Sequence, residues 1–256
     1  MASLLAVATG TALVESAVLY PLDFCTTRMQ VRPDYVVPRG PWRLLRSAPV
    51  RRRCFRGVLP HLAAVTAVQV PRYLVATTSS AVPVDDTGRL ALQGALAGAA
   101  EAIVITPLDA FKIPMQVGSP GLSANDIYAT ATRGPEREWS RLWRGHLYTT
   151  LRQSTYGAVT FTSVGLLRRF YPEELTGPEL VLFGCLTGAV ASVLGSPFDV
   201  LKSRAQAAEY VVPNTVASSR DLFRGLSSRL WRVGLGTALA MVVSDEVSRW
   251  LRRPAG

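Results

Sequence analysis

The chain has 256 residues, with 28 lysines and arginines against 18 aspartates and glutamates for a net charge of +10 at pH 7, and its mean hydropathy of +0.21 fits a soluble helical protein about as well as a membrane one. Three cysteines, Cys25, Cys54 and Cys185, are odd in number and lack metal-ligand spacing, so free thiols are expected and a disulfide scaffold is not. No Gly-rich phosphate loop, nucleophile elbow or zinc motif occurs, so the chain reads as no enzyme, with no cofactor and no metal site, and His61 and His146 read as surface or cavity-mouth residues.

In chain order, the first apolar stretch shows no charged n-region or cleavage site and runs straight into PLDFCTTRMQ, beginning at Pro21, so no signal peptide is expected. The link that follows crowds Arg39, Arg43, Arg46, Arg51, Arg52, Arg53 and Arg56, and it closes on Phe55-Arg56-Gly57. Such a run is a solvated face or a contact with anionic lipid; a nucleic-acid patch is the weakest reading, because the neighbouring apolar helices leave little surface for reading a duplex. Arginine-rich loops also bear on which side of a membrane they occupy. A second apolar stretch follows, interrupted by Arg72.

The same order then recurs twice. TPLDAFKIPMQ, with Pro107, leads to Trp143-Arg144-Gly145 and an apolar stretch holding Arg152; SPFDVLKSRAQ, with Pro197, leads to Phe223-Arg224-Gly225 and a stretch holding Arg232. Each copy puts Asp two residues and Gln nine residues after its proline: Asp23 and Gln30, Asp109 and Gln116, Asp199 and Gln206. The prolines are 86 and 90 residues apart, and the chain's two lysines, Lys112 and Lys202, both lie five residues after a repeat proline. A repeat of this length decides architecture before local pattern does. It predicts one domain over 1–256 in three repeats (about 1–85, 86–173 and 174–256), each an apolar helix, a polar link, Arg-Gly and a second apolar helix, for an all-α protein of six long helices.

Spanning a bilayer takes about 20 mostly apolar residues, and Leu180 to Phe198 is the clean uncharged run of near that length. Elsewhere single charges interrupt, but at related places: Glu15 and Glu101 each precede a repeat proline by six residues, and Arg152 and Arg232 each follow a repeat glycine by seven. Charges in hydrocarbon almost always face a bundle interior or an aqueous cavity, so charges at one depth predict a wet central cavity. Gly94 with Gly98, Gly184 with Gly188, and Ala8 with Ala12 give each first helix a small face for close packing.

The threefold Pro-x-Asp-x-x-Lys-x-Arg-x-Gln pattern with its following aromatic-Arg-Gly resembles the mitochondrial carrier family, from about Gly10 to Leu251. The resemblance implies six tilted transmembrane helices in three pseudo-symmetric pairs around a central substrate site, a short matrix helix in each link, and a monomer in the mitochondrial inner membrane, although peroxisomal and plastid members share the motif. It implies that Pro21, Pro107 and Pro197 kink the odd helices, in keeping with the hydrogen bond a proline removes. It also implies that each motif aspartate pairs with the motif lysine of the next repeat to close the cavity toward the matrix, braced by Gln30, Gln116 and Gln206.

Here the pattern has gaps. Asp23 with Lys112 and Asp109 with Lys202 can form, but Thr26 stands where the partner of Asp199 belongs, leaving Asp199 solvated, protonated or paired with Arg28. Pro114 replaces the basic residue that Arg28 and Arg204 keep. Of the family's cytoplasmic gate motif, Asp245, Glu246 and Arg249 and the lone Arg168 remain, while Thr77 and Ser80 occupy the first copy. The family's contact points, seven residues after each repeat glycine, fall on Ala64, on Arg152 followed by Gln153, and on Arg232, with Arg72 as a further cation. A guanidinium fork holds a carboxylate by two parallel charge-assisted bonds, and an Arg-Gln pair at the second point resembles carriers of di- and tricarboxylates and oxo acids. The expected partners are a small anionic substrate and, at Arg56-Gly57, Arg144-Gly145 and Arg224-Gly225, a membrane lipid such as cardiolipin, with no nucleic acid. The alternatives are a carrier for an amino acid or other anion, and a carrier-like scaffold or lipid-binding protein that does not transport.

Overall fold

The computed structural model describes residues 2–31, 54–79, 87–118, 122–132, 139–170, 177–208, 210 and 218–237. The backbone is helical, with no strand among the described residues: α1 (Ala2–Val31), α2 (Val58–Ser79), α3 (Thr87–Val117), α4 (Ala124–Thr132), α5 (His146–Phe170) and α6 (Gly177–Ala207), followed by α7 over 226–237. Short 3-10 turns at Trp139–Trp143 and Ser219–Phe223 lead into α5 and α7. Pro21, Pro107 and Pro197 each sit inside an unbroken helix, and Pro114 shares α3 with Pro107.

Helix α3 explains how the chain arranges its surfaces. Gly94, Gly98, Glu101, Ile105, Asp109, Lys112 and Gln116 recur every three or four residues and are all buried on one stripe, while Leu92, Leu96 and Ile103 on other faces are more than half exposed. Helix α6 repeats the arrangement, with Leu182, Leu186, Val190 and Leu194 turned outward and Asp199, Lys202 and Gln206 inward. A soluble helix does the opposite, hiding its apolar stripe and solvating its charges. Among the described residues two helices, 87–117 and 178–207, are long and apolar enough to cross a membrane.

The small residues set how close the helices come. Helix α3 packs extensively against α5; a methyl added at Gly94 would strike the Gly157 carbonyl, and one at Gly98 the Gln153 carbonyl, so the two backbones touch. Packing continues from α1 to α2, α2 to α3, and α5 to α6. Helix α7 closes the circuit: Thr237 and Val233 lie against Gly184 and Gly188 of α6, and Gly236 lies against Glu15 and Leu19 of α1.

The aromatic-Arg-Gly turns have a definite backbone reason for their glycine. Gly57, Gly145 and Gly225 are the described residues with positive φ, at 79°, 77° and 83°, a region that glycine enters without steric penalty. Each rests on the same position of the following repeat: Gly57 against the Lys112 backbone, Gly145 against Lys202 and Gly225 against Thr26. The third contact runs from the last repeat back to the first. Outside the long helices, Ser123 and Asp126 cap α4 reciprocally, the Ser123 hydroxyl and amide donating to Asp126 Oδ2 at 2.7 and 2.8 Å and the Asp126 amide donating back at 3.2 Å. Those bonds hold the Asp126 carboxyl below the usual carboxylate range.

Candidate functional site

The buried charges meet in one cavity of about 720 Å³ between the helices. Ala64, Arg152, Gln153 and Arg232 line it together with the motif residues Asp23, Asp109, Lys112, Asp199 and Lys202. Arg72 lies in α2 and Arg168 in α5, but their side chains, like Asp245, the basic cluster from Arg39 to Arg53 and the remaining cytoplasmic motif residues, are outside the described residues.

Lys112 Nζ donates to Asp23 Oδ2 at 2.9 Å, and Lys202 Nζ pairs with Asp109 Oδ2. Both pairs join one repeat to the next. His61 stands beside the first of them, Nδ1 at 3.1 Å from Lys112 Nζ and Nε2 at 3.6 Å from Asp23 Oδ2. Tyr20 supports the same corner: its hydroxyl donates to the Arg56 carbonyl at 2.7 Å and accepts from Gln116 Nε2 at 2.9 Å, while its ring lies 5.6 Å from Lys112 Nζ.

Asp199 corrects the sequence reading. It is met by two guanidiniums, Arg152 with Nε 3.2 Å from Oδ1 and Arg229 on Oδ2, and it is 9% exposed. Arg28 goes elsewhere, because five residues beyond Asp23 puts it about 7.5 Å further along α1; its Nε donates to the Gln116 carbonyl at 2.9 Å. Arg204 repeats that bond onto the Gln30 carbonyl at 3.0 Å. The motif glutamines also bond around the ion pairs rather than to them: Ser203 Oγ donates to Gln30 Oε1 at 2.7 Å, and Gln206 Nε2 donates to the Thr106 carbonyl at 3.3 Å. Seven residues separate each glutamine from its aspartate, about two helical turns, which is why its amide finds other partners.

The two arginines expected at the substrate are both holding carboxylates. Arg152 reaches Asp199, and Arg232 Nε lies 2.7 Å from Asp23 Oδ1. Each therefore extends from the second helix of one repeat to the motif aspartate of the next. Ala64 at the corresponding place in the first repeat has no group to offer Asp109. Gln153 Nε2 donates to Glu101 Oε2 at 2.9 Å, which fixes the amide beside Arg152.

Of the Arg-Gly residues, Arg56 Nη2 donates to the Leu122 carbonyl at 2.6 Å and Arg224 Nη1 lies 3.7 Å from Asp221 Oδ1. Among the described residues no group of His, Cys, Asp and Glu is gathered to hold a metal. His146 Nδ1 is 2.9 Å from Thr106 Oγ1, and all three cysteines are free. Burial pushes the Cys54 thiol up from its ordinary value, which makes it a weaker nucleophile.

Sequence reasoning passed over Arg229, His61 and Tyr20 as members of the ion-pair layer. A signal for two of them was present: His61, Thr149 and Arg229 all stand four residues after a repeat glycine, and two of the three contact the motif aspartate of their own repeat.

A family model described as mitochondrial carrier protein matches residues 85–175 and 173–255. The mitochondrial citrate transporter C of Aspergillus niger is 27% identical, covering 92% of this chain and 86% of its own length. The mitochondrial citrate transporter B of the same fungus is 25% identical over 95% of this chain and 91% of its own length. A mitochondrial coenzyme A transporter of Xenopus tropicalis is 33% identical over 44% of this chain and 37% of its own length.

Proposed function

The chain belongs to the mitochondrial carrier family, whose members are transporters rather than enzymes, and from that premise we propose that it exchanges small di- or tricarboxylates or oxodicarboxylates across the mitochondrial inner membrane. Six spans in three repeats would surround the cavity, with one chain sufficient to enclose it and anionic lipid such as cardiolipin at the three Arg-Gly turns.

One observation carries the substrate class: Arg152 and Arg232 project into one cavity from two helices, and each already holds a carboxylate. A substrate carboxylate arriving there replaces an aspartate by a group of the same chemistry, so the guanidinium keeps a carboxylate beside it throughout. Of the two aspartates that are released, Asp23 is also the one that Lys112 ties to the next repeat. Substrate binding and loosening of the matrix-side ion pairs thus become one exchange of partners, and only a substrate with differential affinity for the two states shifts the balance between them. The relatives named as citrate transporters support an anion with several carboxylates.

Uptake into proteoliposomes across a panel of carboxylates, amino acids and nucleotides, coenzyme A included, tests this. Carboxylates should be taken up in exchange for internal carboxylate. Arg152→Ala or Arg232→Ala should lower that uptake about tenfold to a hundredfold, the equivalent of about 1.5–3 kcal/mol for a lost hydrogen bond to a charged group, while the protein remains folded. Arg152→Lys should recover part of the loss, since an ammonium lacks the fork. Unchanged carboxylate uptake in either alanine variant would reject the assignment.

A further inference from the structure

The three motif aspartates draw cations from the same three places. One is five residues after the proline of the next repeat, filled by Lys112 for Asp23 and Lys202 for Asp109. A second is seven residues after the glycine of the preceding repeat, filled by Arg232 for Asp23 and Arg152 for Asp199. The third is four residues after the glycine of the aspartate's own repeat. There His61 lies against Asp23 and Lys112, and Thr149 turns its hydroxyl back to the Gly145 carbonyl at 3.2 Å. At that place in the last repeat Arg229 lies on Asp199.

Occupancy of the third place is complementary to the first. Where a lysine is present the residue four after the glycine is a histidine or a threonine, and where the lysine is replaced by Thr26 it is an arginine. That Thr26 occupies the lysine position is independent of the sequence pattern, because Gly225 packs on the Thr26 backbone as Gly57 and Gly145 pack on Lys112 and Lys202. The Thr26 hydroxyl does not reach for Asp199. It donates to the Leu22 carbonyl at 2.9 Å and lies 3.0 Å from Ser228 Oγ, the residue before Arg229.

We propose that Arg229 is a positioning residue that replaces the missing third lysine, neutralising Asp199 from within its own repeat instead of across the junction with the first. The proposal rests on reading the ion pairs as the matrix-side gate of a carboxylate carrier. It explains how Asp199 survives transport: a substrate that takes Arg152 leaves Arg229 in place, so Asp199 stays paired and buried. It also makes the gate unequal. At the lysine position two junctions are closed by ion pairs that opening must break, whereas the junction of α6 with α1 carries the Asp199 pair inside the last repeat, and the ion pair that ties the last repeat to the first is that of Arg232 with Asp23, which a substrate takes over.

Thermal unfolding in detergent and carboxylate exchange in proteoliposomes, measured on Arg229→Gln, Thr26→Lys and the double variant, decide the matter. Arg229→Gln is expected to lower the melting temperature by about 4 °C or more and to slow exchange. Thr26→Lys alone is expected to give no gain, because Asp199 already has its cation. The double variant is expected to recover most of the lost melting temperature, as the lysine now has an unoccupied partner. In an Asp199→Asn background neither substitution should have an effect of this size. The proposal is overturned if Thr26→Lys stabilises equally with and without Arg229, or if Arg229→Gln costs as much in the Asp199→Asn background. Should Arg229→Gln alone not fold, recovery of folded protein on adding Thr26→Lys is the same positive result, and failure of both variants to fold overturns it. The unfolding measurements read the pairing whatever the substrate, so a wild-type protein that exchanges no carboxylate would reject the proposed function and leave this cycle to stand or fall separately.

Discussion

Where α3 meets α6, Lys202 reaches across to Asp109, and Pro114 stands at the place from which an arginine would reach the next helix. Where α6 meets α1 the two losses are exchanged. Thr26 stands in place of the lysine, but Arg204 donates to the Gln30 carbonyl and Ser203 to its side chain. The junction of α1 with α3 has both devices, Lys112 on Asp23 and Arg28 on the Gln116 carbonyl. Three junctions cut to one pattern are therefore held in three ways. A buried ion pair is costly to assemble and costly to break, whereas a hydrogen bond between neutral groups is worth about 1 kcal/mol and one from a charged donor about 1.5–3 kcal/mol, and both are replaced more easily.

The comparison breaks most sharply at the lysine. Lys202→Ala leaves Asp109 buried without its lysine and should destabilise the protein by about 3–5 kcal/mol. Thr26→Ala at the equivalent place removes one hydroxyl hydrogen bond across the other junction and should cost about 1 kcal/mol. Reversing Asp109 and Lys202 together should recover part of what either reversal alone loses, read as a coupling energy in a double-mutant cycle of melting temperature and exchange rate. A cycle without coupling would remove the charged junction from the comparison.

How much of this was legible beforehand depends on what fixed each residue. The lysines and aspartates are bound to a repeat proline by constant spacing, which marks them as one set, and the family resemblance supplied the pairing of Lys112 with Asp23. The glycines are legible for a backbone reason, because no other residue adopts the φ of 77° to 83° without strain. Arg229 shares a constant spacing from the repeat glycine with His61 and Thr149, but three different residue types stand there, and only the packing of α7 against α6 and α1 selects Asp199 as its partner. Gln30, Gln116 and Gln206 were placed at the right depth, but a flexible amide settles on the nearest buried donor or acceptor, and here those are Ser203, Tyr20 and Thr106. The outward leucines of α3 and α6 are legible by contrast, because the charges at Glu101, Asp109, Lys112, Asp199 and Lys202 mark the face that turns inward.

A smaller difference is expected at the glycines. A methyl at Gly145 meets the Ala205 Cβ at 3.3 Å, with the Gln206 side chain and the Lys202 carbonyl at an ordinary contact distance of 3.5 Å. At Gly225 it meets the Thr26 carbonyl at 3.2 Å, which is fixed in α1. Holding alanine at positive φ costs on the order of 1–3 kcal/mol, so Gly145→Ala should fall at the low end and Gly225→Ala at the high end. Melting temperatures of the two purified variants check the order. Equal losses would mean that φ alone sets the cost and that the junction of α6 with α1 is no tighter in its backbone than the other.

The smallest effect sharpens the comparison from the opposite direction, by restoring what one junction lacks. Arg28 and Arg204 each donate to the backbone carbonyl of the motif glutamine in the following repeat, Gln116 and Gln30, and Pro114 occupies the third position of that set with Gln206 as its counterpart. Pro114→Arg should supply the missing bond to the Gln206 carbonyl, worth about 1.5 kcal/mol for a hydrogen bond to a charged donor. Removing a proline from a helix interior is itself stabilising, so Pro114→Ala measures that part separately. A melting temperature for Pro114→Arg above that of Pro114→Ala by about 3–6 °C is the expected outcome, accompanied by slower exchange because the junction of α3 with α6 then opens against both devices. If the two variants melt together, the arginine has found no partner at this junction, and the resemblance among the three junctions ends at the lysine layer.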